Sequence, residues 1–210
     1  YADVTTYWDY IQLDTLLSLQ KPKTSFPDEV VFIMYHQITE LYFKLALREF
    51  EALGKIQQPN KTHFTDRVTR INRYFDALVK SFEIMINGMD RDEFLKFRMS
   101  LLPASGFQSA QYREIEIYST DFINLVAKDF REQLQKENKI AALFEHIYWK
   151  AGATELATGK KTLTLIQFEE KYRDQFIHLG EHCRDKNLWQ VYLRLSQEDQ
   201  QDEQVKQALR

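Results

Sequence analysis

Three groups of residues in this 210-residue sequence have types and spacings that chemistry could use. His36 falls mid-segment between Phe32 and Phe43 on a face rich in aromatics, where an imidazole is either a satisfied core histidine or a hydrogen-bonding group for a ligand. Arg98 follows Phe94 by four positions and precedes Leu101 and Leu102. Its guanidinium cannot shed its charge to suit apolar surroundings, so something anionic should meet it. Glu40, Asp92 or Glu114 would serve as an internal partner, and a ligand carboxylate would be gripped by two parallel N–H donors. Both side chains are expected to be buried, and buried polar groups need partners. The third group, His178-Leu179-Gly180-Glu181-His182, matches the H-x-x-E-H spacing of inverted zinc peptidases. That chemistry needs a further acidic ligand downstream, and only a polar tail follows. Flanking Arg173, Asp174, Arg184 and Asp185, with Gly180 mid-helix, point instead to an exposed charged helix, and no zinc is expected. G-x-S-x-G, Walker-type, dinucleotide-binding and C-x-x-C patterns are absent from the sequence.

The elements that must position these residues read as helices. Residues 5–20 carry Tyr7, Tyr10, Ile11, Leu13, Leu16, Leu17 and Leu19 at helical spacing, closed by Pro22 and Pro27. A long helix is predicted from Asp28, as cap, to about Leu53, with Glu29 in its first turn. Val31, Met34, Ile38, Leu41 and Leu45 form one stripe, and Phe32, His36, Thr39, Phe43 and Leu47 lie nearly opposite at ~100° per residue, the pattern of a helix buried all round. After Gln58-Pro59-Asn60, Val68 to Met85 repeat at threes and fours until Asn87-Gly88. Asp90 and Glu93 have capping-box-like spacing and open a helix carrying Phe94, Phe97 and Arg98, stopped by Pro103. A small-residue loop then leads into a helix running through Ile117, Phe122, Leu125 and Val126. Residues 129–151 and 161–183 are predicted helical, with a mobile loop at 150–161. Beyond Trp189 a short helix gives way to a charged tail. The expectation is a single all-α helical domain over 1–210, without significant sheet.

Composition narrows the function classes. With 44% hydrophobic and 28% charged residues, six Gly and four Pro, the chain has a globular, helix-rich profile. A net charge of −3 with mixed signs gives no basic stripe for nucleic acid. Cys183, the one cysteine, excludes an intrachain disulfide and fits a reducing compartment. No apolar run reaches the roughly 18 residues needed to span a bilayer, and no signal segment opens the sequence, so no membrane partner and a cytoplasmic location are expected.

Three segments, TTYWDYIQLDTLLSLQ, DEVVFIMYHQITELYFK and FLKFRMSLLPASGFQSAQYREIE, together resemble the tryptophan 2,3-dioxygenases. The last two carry the long patterns F-I-x-x-H-Q-x-x-E-L-x-F-K and F-R-x-x-L-x-P-A-S-G-F-Q-S-x-Q-Y-R. The likeness is strong to about residue 118, and beyond it only helical character and order agree. It implies a helical bundle of the haem-dependent tryptophan dioxygenase type, with haem b as cofactor and O2 as co-substrate. The implied reaction opens the indole ring of L-tryptophan to N-formylkynurenine, in a homotetramer. By the same resemblance His36 would accept the indole N–H, Phe32 would pack on the ring, and Phe94 would wall the pocket. Arg98 would clasp the carboxylate, with Ser105 and Gly106 beside the haem and the substrate ammonium. Tyr7 and Tyr10 would come from a neighbouring subunit, the 1–20 segment being exchanged. The family's proximal histidine, in a W-R-x-x-H segment, and its G-T-G-G loop are not in this sequence and are expected beyond Arg210. His146, His178 and His182 are not expected to substitute. The alternatives are a divergent member that binds an indole or amino acid without oxidising it, and a helical scaffold lacking haem.

Overall fold

A computed structural model describes residues 5–101, 106–154 and 159–209. The fold is all-α as expected: among the described residues the only β pairing consists of two isolated bridges, Val126 with Ile147 and Thr154 with Lys161. The chain divides into two compact units, one of Tyr1–Thr39 and Val79–Leu102, the other of Glu40–Leu78 and Pro103–Arg210.

In the first unit the expected helix over residues 5–20 is broken. Tyr7–Tyr10 and Leu13–Leu17 are separate short helices, because Gln12 takes a left-handed conformation with φ of 53°. The long helix runs Pro27–Gly54 and starts on proline, whose missing N–H costs nothing at a first helical position. Asp28 is therefore not its cap. Its carboxylate instead accepts the backbone N–H of Asp90 at 2.5 Å, while Asp90 Oδ1 accepts the N–H of Glu93 at 2.8 Å and caps helix Arg91–Leu101. Half of the expected capping box is thus supplied from the other helix.

The turn ahead of the long helix is held by Glu29. Its buried carboxylate accepts the N–H of Lys23 at 2.8 Å, the N–H of Thr24 at 2.7 Å and the Thr24 hydroxyl. Burial alone would raise its pKa, but the Thr24 and Lys23 donors outweigh burial and hold it below its ordinary value. The unfolded chain therefore takes up this proton first, and stability falls as pH drops through the ordinary carboxylate range toward the folded value. Glu29→Ala is expected to cost about 1 to 3 kcal/mol at neutral pH, the penalty for stranding donors, and to flatten the acid limb of the urea-unfolding profile.

The long helix is not buried all round. Leu47 is buried and Phe43 half-buried, but Met34, Ile38, Leu41 and Leu45 are 40 to 49% exposed, since none of the described residues covers that stripe.

The second unit is built around helix Leu163–His182, capped by Thr162 and packed on helices Ala110–Ser119 and Ile140–Glu145. Phe144, Trp149, Phe168 and Phe176 interlock within this core, with ring centroids 5.6 to 6.3 Å apart. A smaller apolar cluster joins Leu53, Phe64, Val68, Val191, Leu195 and Val205. The predicted helix through Val126 ends at Ser119, where Thr120 is extended, and the 129–151 pattern is broken too. There the backbone leaves the helical path to pair, Ala127 N–H donating to His146 O at 2.8 Å. Of the 150–161 segment, residues 148–153 form a 3-10 turn and Thr154 bridges to Lys161, while residues 155–158 lie outside the described set. Cys183 is buried, which pushes its thiol up to about 12 and leaves it unreactive.

Candidate functional site

The two residue pairs singled out by spacing meet in the first unit, and the Asp28–Asp90 hydrogen bond explains how. It places the first turns of helices Pro27–Gly54 and Arg91–Leu101 side by side. Four residues further along each helix, the rings of Phe32 and Phe94 lie 6.0 Å apart. Phe32 also meets Phe97 at 5.8 Å. A further four residues lead to His36 on one helix and Arg98 on the other.

His36 Nδ1 lies 2.8 Å from the carbonyl oxygen of Phe32. A carbonyl only accepts, so Nδ1 carries the proton, and in the neutral ring Nε2 is left as a bare acceptor. The imidazole is tilted against the Phe32 ring at 4.1 Å and meets Tyr35 edge-on at 6.1 Å. Arg98 forms no ion pair among the described residues. Of its proposed internal partners, Glu40 accepts from the Gln111 amide at 2.8 Å, Glu114 accepts from Gln175, and Asp92 forms no ion pair among the described residues. Contrary to expectation, His36 and Arg98 are both exposed, and the half-buried walls between them are Phe32 and Phe94.

Two contributors escaped the sequence reading. Phe97 is fully buried and meets Phe94 at 5.5 Å and a right angle, so it fixes both wall rings at once. Its three-residue step from Phe94 was the available signal. Tyr35 is buried behind His36 and its hydroxyl lies 3.3 Å from Ser81 Oγ; no local pattern marks it.

Tyr7 and Tyr10 are 71% and 80% exposed and make no ring contact with Phe32, His36 or Phe94 among the described residues. Ser105 lies outside the described residues. Gly106 opens the 3-10 turn Gly106–Gln108, and a Cβ placed on it would meet nothing within 4 Å. His178, Glu181 and His182 are exposed, and no group of three metal-binding side chains occurs among the described residues. Gly180, taken above as a sign of exposure, is buried.

The sequence profile of the tryptophan 2,3-dioxygenases matches residues 2–140. A tryptophan 2,3-dioxygenase of Ruegeria sp. (strain TM1040) is 39% identical over 117 residues, 55% of this chain and 42% of that protein. Another, from Bacillus cereus (strain ATCC 10987 / NRS 248), is 40% identical over 112 residues, covering 53% and 40% respectively. A third, from Sorangium cellulosum (strain So ce56), is 40% identical over 123 residues, 53% of this chain and 29% of that protein. The matched region thus spans about two-fifths or less of these relatives' length.

Proposed function

The chain belongs to the tryptophan 2,3-dioxygenase family, and from that premise we propose that its first unit binds L-tryptophan for oxidative opening of the indole ring. In that reaction both atoms of O2 enter the substrate and the indole C2–C3 bond breaks, giving N-formylkynurenine. The observation that supports the reading is an imidazole with a bare acceptor and a guanidinium without an ion-pair partner among the described residues, each one turn beyond the neighbouring rings of Phe32 and Phe94. An amino acid with an indole side chain has a ring N–H for the first and a carboxylate for the second.

Each group has a derived role. Nε2 of His36 accepts the indole N–H, and the Nδ1 bond to Phe32 O keeps that lone pair available. Phe32 lies against the indole, because it shares a helical face with His36. Phe94 walls the carboxylate end, and Arg98 grips the carboxylate through paired N–H donors. Tyr7 and Tyr10 close the pocket of a neighbouring subunit in a homotetramer, consistent with their exposure here. A cytoplasmic setting agrees with the absence, among the described residues, of a helix long and apolar enough to cross a membrane.

Haem b, when bound, supplies the oxygen activation. By the family resemblance Ser105 and Gly106 would lie on its substrate side; a Cβ on Gly106 would meet nothing within 4 Å, and Ser105 is outside the described residues. The described residues do not fit its iron: His146 is half-buried against Phe130 at 4.4 Å, and His178 and His182 are exposed.

The test is a calorimetric titration with L-tryptophan and 1-methyltryptophan, alongside product absorbance in haem-loaded protein. L-tryptophan should bind, with the methylated analogue weaker by roughly tenfold or more, because a methyl removes the one donor that His36 can use. Equal binding of the two would remove the role given to His36. Binding without N-formylkynurenine would favour the non-catalytic alternative.

A further inference from the structure

The second unit contains a cavity of about 360 Å³ that the reading above does not use, lined by Glu51, Gly54, Lys55, Gln57, Tyr118, His182 and Lys186. Tyr118 is nine-tenths buried with its ring stacked on Phe50 at 6.1 Å, yet its hydroxyl has no hydrogen-bond partner among the described residues. The hydroxyl is not among the sealed unpaired atoms of the core, so it opens onto accessible space. Lys186 is half-buried and Lys55 exposed at the rim, and neither forms an ion pair among the described residues. Gly54 makes the close wall: a Cβ there would stand 2.9 Å from the backbone oxygen of Lys186.

The charges select the ligand. Lys55 and Lys186 set against Glu51 leave one positive charge, and the carbonyl end of helix Pro27–Gly54 opposes anions in general, so the lining can balance a single negative charge at most. The lysine stems and the Tyr118 ring give the walls apolar surface. We propose that this cavity is a second ligand site, for a small monocarboxylate with an apolar body, its carboxylate held by the Tyr118 hydroxyl and the Lys186 ammonium with Lys55 at the rim.

The probe is 3-phenylpropionate, titrated against the whole 210-residue chain by calorimetry, with 3-phenylpropan-1-ol as its uncharged counterpart. The acid should bind saturably and the alcohol more weakly. Tyr118→Phe and Lys186→Gln should each weaken the acid by roughly three- to tenfold, the worth of one hydrogen bond. Lys55→Gln, at the exposed rim, gives a variant whose folding is not at stake and should weaken it too. Arg98→Gln should leave it unchanged. Absence of saturable binding, indifference to all three cavity variants, or loss of binding in Arg98→Gln would each overturn the proposal.

Discussion

Arg98→Met is expected to weaken L-tryptophan binding by roughly thirty- to a thousandfold while leaving the unfolding midpoint in place. The first half follows from what a guanidinium does for a carboxylate: two parallel charge-assisted hydrogen bonds, whose loss typically costs about 2 to 4 kcal/mol. The second half follows from the absence of an ion-pair partner among the described residues. Arg98 forms no ion pair among the described residues, so its removal strands no buried acid. Arg98→Lys should recover only part of the affinity, because an ammonium keeps the charge but loses the planar fork. Tryptamine, which lacks the carboxylate, should bind all three proteins alike, and calorimetry on the two ligands checks both statements. A large fall in thermal midpoint for Arg98→Met would mean that the side chain is structural.

Gly180→Val is expected to cost roughly 3 kcal/mol or more, read as a lower urea midpoint. A Cβ at this position would lie 2.7 Å from Ile140 Cγ2 and 2.8 Å from Phe122 Cδ2. Both neighbours are buried core side chains that have no open space to retreat into. Even alanine tests the balance, since replacing a helical glycine gains about 1 kcal/mol in propensity while overpacking costs about 1 to 3 kcal/mol. Valine adds two further methyls and forfeits most of the propensity gain, so the clash decides. A neutral Gly180→Val would mean that helix Leu163–His182 can move off its neighbours.

Gly180 also shows where reading from sequence stops. Its type and flanking charges suggested solvent, but the contact that demands glycine comes from Ile140 and Phe122, some 40 and 60 residues away in sequence. The spacings Phe32 to His36 and Phe94 to Arg98 were legible because four residues on one helix is simple arithmetic, and Asp90 as a cap was legible for the same reason. What brought the two segments together was not. That depends on Asp28 accepting the N–H of Asp90, a bond across 62 positions that replaces the local half of a capping box. The loss of helix around Val126 and His146 has the same kind of cause, since helical periodicity persists in the sequence where the backbone pairs Ala127 N–H with His146 O. Burial of His36 and Arg98 was inferred from aromatic neighbours. Those neighbours spend their surface on one another through Phe97 and leave the polar groups open.

The account rests on His36 and Arg98 forming one site, and a crystal structure with L-tryptophan bound is its most direct test. It should place the indole nitrogen within hydrogen-bond distance of His36 Nε2 and both carboxylate oxygens on the Arg98 guanidinium. A ligand that engages only one of the two, or an Arg98 turned away onto Asp92, would contradict it.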